Sequence, residues 1–218
     1  MSDPKSNDSL NAFTGDRPDL LRFIDDKRTT ALDVGCGKGT FATLLRSRGV
    51  ENIVGIEPDP ARAVVAAESL DRVICSTVEH VVDHDLGDAR FDLIVLSDVI
   101  EHLIDPWTAV KRLASHLEPN GQMLISVPNV GNLEVLKQLV LRGEWRFDDN
   151  GMFDRTHIRW FGRNTLRTLL SDAGLIAERW GARLSFGIGP VYTTRLVDHA
   201  DRIPSIAIFQ HHILARRA

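Results

Sequence analysis

A glycine-rich turn set between an apolar run and an amphipathic one leaves this chain few architectures. Asp33-Val34-Gly35-Cys36-Gly37-Lys38-Gly39 ends the apolar residues 29–34 and precedes Phe41, Leu44 and Leu45 at helical spacing. Strand, glycine turn and helix in that order let backbone approach a ligand closely, because a Cβ at the turn would fill the space the ligand needs. A second apolar run, residues 52–56, ends in Glu57, 24 residues after Asp33. In a βαβ unit that carboxylate faces the same crevice and can take both hydroxyls of a ribose.

The acidic residue closing the first strand is informative in its own right. A loop that binds pyrophosphate keeps anionic side chains away, whereas a carboxylate suits a ligand carrying positive charge. S-adenosylmethionine, with its sulfonium and ammonium groups, is such a ligand. The glycines run Gly35, Gly37, Gly39 rather than in dinucleotide spacing, which disfavours a dehydrogenase.

The rest of the chain alternates strand and helix patterns. Strands are predicted over residues 29–34, 52–57, 72–76, 91–96 and 121–127, with helices over 40–48, 60–70 and 105–117. The run 91–96 is almost wholly apolar, as a central parallel strand must be. Residues 18–26 predict a short helix able to lie over a bound cofactor. A helix over 133–141, packed in the core or a dimer, leads into an aromatic and charged stretch over 143–162. A helix over 164–173, with Asn164 as its cap, and strands over 175–184 and 206–214 complete seven strands. The expected fold is α/β, a doubly wound Rossmann-like sheet, mostly parallel with an antiparallel last strand. One domain is expected over 1–218, with 1–12 a disordered tail and 129–174 a segment covering the substrate.

Composition excludes several classes. The net charge of −4 argues against nucleic-acid binding through a broad basic surface. The two cysteines, Cys36 and Cys75, resemble neither a disulfide pair nor metal ligands, which suits a reducing, cytoplasmic compartment. No leader or spanning run is apparent, so any membrane contact is expected to be peripheral. No ligand set shows persuasive metal spacing, so no metal is expected.

These residues resemble the class I S-adenosylmethionine-dependent methyltransferases over almost the whole chain. The likeness rests on the glycine loop, Glu57, Ser97-Asp98-Val99-Ile100-Glu101-His102-Leu103 and Leu117-Glu118-Pro119-Asn120-Gly121. The run from Ser97 is similar to ubiquinone-biosynthesis O-methyltransferases. Ser126-Val127-Pro128-Asn129 and Asp154-Arg155-Thr156-His157-Ile158-Arg159-Trp160-Phe161 resemble small bacterial methyltransferases of polysaccharide and lipid-linked glycan biosynthesis. The resemblance implies S-adenosylmethionine as cofactor. It implies that Asp33, Gly35, Cys36 and Gly37 line the methionine end, Glu57 the ribose and Pro58 the adenine, with Ser97 near the donor amine. Many relatives carry an aspartate after the third strand; here Cys75-Ser76-Thr77 stands there, leaving Ser76 or backbone for the adenine amino group.

Methyl transfer to a hydroxyl needs a proton acceptor, whereas a neutral amine needs little help. His157, in the covering segment, is the first candidate base, set against a role in holding the loop to Asp154. His102 is the second, set against packing beside the cofactor. Six arginines from Arg142 to Arg167 fall within 26 residues. Arg155 and Arg159 are the candidates for an anionic acceptor, set against ion pairing with Glu144, Asp148, Asp149 and Asp154. Trp160, among Trp145, Phe147, Phe153 and Phe161, is a candidate stacking surface, set against a small hydrophobic cluster. Three functions stay open: O-methylation of a sugar or lipid-linked glycan, O-methylation of a quinone-type phenol or other small metabolite, and non-catalytic cofactor binding that regulates a partner.

Overall fold

A computed structural model describes residues 17–24, 28–81, 85–186 and 193–218. The described strands are β1 (Thr30–Val34), β2 (Asn52–Ile56), β3 (Arg72–Ile74), β4 (Phe91–Ser97), β5 (Leu117–Pro128), β6 (Leu175–Phe186), β7 (Thr193–Val197) and β8 (Ile208–Arg217). They form one sheet in the order β3-β2-β1-β4-β5-β8-β6-β7. β1 to β5 pair in parallel, and β8 runs antiparallel to both β5 and β6. All seven predicted strands are present. The addition is β7, which hangs antiparallel on the outer edge of β6.

The helices are α1 (Thr40–Ser47), α2 (Pro60–Ala66), α3 (Val78–Val81), α4 (Pro106–Ser115), α5 (Leu133–Lys137) and α6 (Arg163–Asp172). Caps set their starts. Asp59 accepts from the N–H groups of Ala61 (2.8 Å) and Arg62 (3.2 Å) at α2, and Asp105 accepts from Thr108 N–H (3.1 Å) at α4. Proline follows each cap, where its missing N–H costs nothing. Asn164 does not cap α6; Gly162, two residues earlier, holds that place without a side-chain bond.

Side-chain alternation in the strands builds two cores. Along β4, Ile94 and Leu96 face Val110, Leu113 and Leu166, while Leu93 and Val95 face Phe41, Ala42 and Leu45. Both faces are covered, which is why the parallel strands read as continuous apolar runs. The 18–26 segment contains a 3-10 turn, Leu21–Phe23, whose Phe23 is buried; residues 25 and 26 of that predicted helix lie outside the described set, as does the 1–12 tail.

The 133–141 helix departs most from expectation. After five residues it widens into a π-helical turn, Gln138–Arg142, and Leu139, Val140 and Leu141 stand exposed rather than packed in a core. Val135 alone of its apolar residues is fully buried, with Met152 and Phe153 in a small third cluster. Among the described residues, no helix is long and apolar enough to cross a membrane.

Asn129 ties this covering segment to the sheet. Its buried amide donates to the carbonyls of Ser205 (2.8 Å) and Ile208 (2.8 Å), and its Oδ1 accepts from Gly131 N–H (3.0 Å). Replacing it strands at least one carbonyl, a loss of about 1–3 kcal/mol. Asn129→Ala should therefore lower the urea midpoint with an unchanged slope. A midpoint equal to the parent's would mean that water replaces the amide.

Candidate functional site

The carboxyl ends of β1, β2, β4 and β5 meet at one edge of the sheet, the edge at which open α/β sheets bind ligands. Asp33 and Gly55 are register partners on β1 and β2, so Glu57 emerges one step beyond, beside the glycine turn. Gly35 N–H (2.8 Å) and Cys36 N–H (3.1 Å) both donate to the Ile56 carbonyl, folding the turn back against β2. Gly35 has φ +69° and lies so close to Val99 that a Cβ would come within 2.8 Å of its methyl. Gly37, at φ +58°, has no atom within 4 Å of the Cβ position. The turn therefore packs firmly on one side and opens into space on the other.

Glu57 is buried, and its carboxylate accepts from Gly37 N–H (2.9 Å) and Asp59 N–H (3.0 Å). Asp33 has no such support. It is 3% exposed, and its Oδ2 is buried without a hydrogen-bond partner. Burial, with Glu57 adding like charge, raises its pKa from 3.8 to about 7. An orphaned carboxylate beside an open glycine cradle fits a cofactor with a cationic end. Cys36 is buried and its thiol is pushed far up, first by burial and then by Asp33 and Glu57, so it is a wall of the turn and not a nucleophile. Pro58 is exposed directly after Glu57, and Ser76 is half-buried at the end of β3.

At the end of β4 lies a second polar centre. Ser97 Oγ accepts from Arg17 (3.2 Å), and the same guanidinium meets Asp98, Gln210 (3.2 Å) and both oxygens of Asp19 (3.0 and 2.9 Å). Burial opposes the charge on Arg17, but Asp98 and Asp19 more than offset it and raise its pKa. Against its own burial, Asp19 is drawn down to about 2 by the same contact. Asp98 sits at φ +56°, a left-handed conformation that Arg17 and Gln210 hold from either carboxylate oxygen. Arg17 gave no signal in the sequence, where it is one charge in a polar stretch.

The next turn brings Glu101, His102 and His157 together. Glu101 is 1% exposed and neither carboxylate oxygen has a hydrogen-bond partner. Burial, and then Asp98, raises its pKa well above the ordinary 4.5. His157 Nε2 lies 4.0 Å from Glu101 Oε1, with its side chain 8% exposed. The two imidazoles meet edge to face at 4.8 Å between centroids. His102 Nδ1 faces the Thr156 carbonyl at 3.2 Å; a carbonyl only accepts, so Nδ1 is the nitrogen that donates there. Burial, then His102, lowers the His157 pKa below 6.5 and keeps that ring neutral at pH 7. In the sequence Glu101 is one member of a motif, and its only individual signal is a charge between Ile100 and Leu103.

The covering segment is stitched to this turn by backbone. Ile158 N–H (2.9 Å) and Arg159 N–H (3.0 Å) both donate to the Glu101 carbonyl, and His157 N–H donates to that of Asp154 (3.1 Å). Arg159 turns its guanidinium to the Ile104 carbonyl, and Arg155 pairs with exposed Asp149. Trp160 is 47% exposed and packs edge to face on Trp145 at 5.5 Å. Of the three acceptor candidates, Arg159 is engaged in holding the chain, while Arg155 and Trp160 face solvent. A groove of about 650 Å³ between α6 and β6, lined by Arg167, Trp180 and Asp198, includes none of these residues.

Comparison with known proteins agrees with this geometry. A family model described as a methyltransferase domain matches residues 11–178. The ubiquinone biosynthesis O-methyltransferase of Bradyrhizobium diazoefficiens is 32% identical over 104 residues, covering 45% of this chain and 39% of that protein. That of Nitrobacter winogradskyi is 34% identical over 169 residues, covering 71% and 62%. The match thus spans about two fifths of the first relative's length. A SAM-dependent methyltransferase from Archaeoglobus fulgidus has the same fold, with a TM-score of 0.66 at 19% identity over 91% of each chain. Another from Thermotoga maritima, described as a possible histamine N-methyltransferase, gives 0.65 at 17% identity over 92% of this chain and 86% of that one.

The Asp33 carboxyl yields a test in the cofactor-free protein. Its folded pKa of about 7 exceeds the unfolded 3.8, so the folded state holds a proton that the unfolded state has lost between these values. Stability therefore falls as pH rises from about 4 to about 7, and the cost is complete above that. The ceiling is on the order of 4 kcal/mol. Asp33→Asn should melt well above the parent at pH 8 and close to it at pH 4. Equal melting at pH 8 would mean that the folded chain already neutralises this carboxylate.

Proposed function

This chain belongs to the methyltransferase-domain family, and we propose that it transfers a methyl group from S-adenosylmethionine to a phenol-type hydroxyl of a small molecule. The observation that carries the cofactor is the unpartnered Asp33 carboxylate beside the open side of Gly37. Glu57, already aligned by two backbone N–H groups, is the ribose partner. When bound, S-adenosylmethionine supplies a methyl group activated by its sulfonium. The chain's own work is to hold that cofactor, exclude water and take charge of the hydroxyl proton.

That proton falls to the centre at Glu101, His102 and His157. A neutral His157 and a carboxylate without hydrogen bonds are a poor arrangement for structure alone and a suitable one for proton acceptance. The names of the relatives support a quinone-type phenol as acceptor over the glycan suggested by the 154–161 segment. Arg159, held by the Ile104 carbonyl, lends no support to an anionic acceptor.

Purified protein with methyl-labelled cofactor should label catechol- and hydroxyquinol-type acceptors in preference to nucleotide sugars or lipid-linked saccharides. Glu57→Ala should weaken cofactor binding more than tenfold by calorimetry, since each lost charged hydrogen bond is worth about 1.5–3 kcal/mol. Label entering only saccharides would reverse the acceptor assignment. Cofactor bound with no acceptor labelled would favour a regulatory role instead.

A further inference from the structure

We propose that His102 takes the acceptor's hydroxyl proton, and that Asp154 and Thr156 are the positioning residues that ready its Nε2 to do so. Its role in the reaction rests on the methyltransferase reading, whereas the orientation of its ring does not. His102 makes its hydrogen bonds at Nδ1, to the Thr156 carbonyl (3.2 Å) and to Thr156 Oγ1 (3.1 Å). The single proton of that hydroxyl is already given to Asp154 Oδ1 (2.6 Å), which also accepts from Thr156 N–H (2.8 Å). Thr156 thus offers His102 two acceptors and no donor, so Nδ1 carries a proton. In the neutral ring the lone pair then belongs to Nε2.

Two further observations separate His102 from His157. The first is access. The His157 side chain is 8% exposed, its Nε2 faces Glu101 Oε1 at 4.0 Å, and the ring has a hydrogen bond with the Met152 backbone. His102 is only half-buried and can meet a molecule arriving from solvent. The second is charge. The rings meet edge to face at 4.8 Å, too close for both to be charged at low cost, and burial holds His157 neutral. A proton reaching the pair therefore settles on His102. Behind that ring stands Asp154, buried and fixed by its own N–H to the Gly151 carbonyl (3.2 Å), with Asp98 and Glu101 the other acidic groups around the pair. Carboxylate, hydroxyl and imidazole in this order orient a base without the carboxylate itself taking the proton.

In the transfer, the acceptor oxygen bonds the methyl carbon as the bond from that carbon to sulfur breaks, and the bonding pair stays on sulfur. The hydroxyl proton passes to His102 Nε2. The imidazolium so formed carries the positive charge that the sulfonium has lost, and water takes the proton once the product departs. A base placed in this way contributes about 10²- to 10⁴-fold.

The ring orientation is tested on cofactor-free protein, by nitrogen-15 spectra of the histidine side chains at about pH 8, where an ordinary histidine is neutral. His102 should show the Nδ1–H tautomer, retained in Thr156→Ser and mixed with the other tautomer in Thr156→Val. An Nε2–H tautomer in the parent would overturn the proposal. Proton acceptance is tested with catechol and methyl-labelled cofactor. His102→Ala should lower turnover about 100-fold or more while cofactor affinity stays within about twofold, and added imidazole should restore part of the rate. Thr156→Val should lower kcat about tenfold with little change in KM, and Thr156→Ser should keep the parent rate. His102→Ala turning over like the parent, or a loss rescued by imidazole in His157→Ala alone, would move the role to another group. The expected tautomer with no labelled catechol would leave the orienting role of Thr156 standing and count against the methyltransferase reading instead.

Discussion

A buried carboxylate without a partner, Asp33, is the constraint around which the upper edge of the sheet is arranged. Its neighbour Glu57 has two backbone N–H groups to disperse its charge; Asp33 has none and carries the penalty in its own protonation. Such a group is tolerable in a stable chain only where a ligand repays it, because binding that neutralises the charge recovers what folding lost. The penalty in the free protein and the affinity for a cationic cofactor are two sides of one free energy.

Contrast within the same edge makes the argument sharper. Asp98 follows β4 directly and is held in a left-handed conformation, and the chain provides it with Arg17 and Gln210. Asp19 receives the same guanidinium. Where an acidic group serves the architecture, the protein supplies the counter-charge from its own sequence. Asp33 receives none, and Glu101, reached only by the field of Arg17, keeps both carboxylate oxygens without a hydrogen bond. The difference separates carboxylates that hold the structure from those that await something from outside it.

Most of the sheet was legible because parallel strands covered on both faces must be apolar throughout, and runs such as Phe91 to Leu96 leave no other reading. The glycine turn and Glu57 were legible for a related reason: their spacing is a geometric requirement of the βαβ unit. What stayed hidden was set by contacts between distant segments. The π turn at Gln138–Arg142 arises in a stretch that, Val140 apart, consists of helix-favouring residues, and no local pattern marks the widening. Arg17 acquires its role only when the chain before β1 meets the ends of β4 and β8, 80 to 195 residues away. His157 was found by its position in the covering segment, but its partner Glu101 was read as part of a motif rather than as a charge in need of compensation.

The short turn from Ser97 to His102 joins the two halves of the site. Val99 packs against Gly35 so closely that no side chain fits between them, and two residues later the Glu101 carbonyl anchors the covering segment at Ile158 and Arg159. The glycine loop and the Glu101–His157 centre are therefore set relative to each other through one strand end rather than through separate mobile loops. In-line transfer between a bound donor and a bound hydroxyl depends on such placement, since alignment alone can remove about 7–11 kcal/mol from a barrier. A displacement of Val99 by a bulkier neighbour at Gly35 would be transmitted to Glu101 by covalent continuity. The turn that packs on the glycine loop is thus also the element that anchors the covering segment.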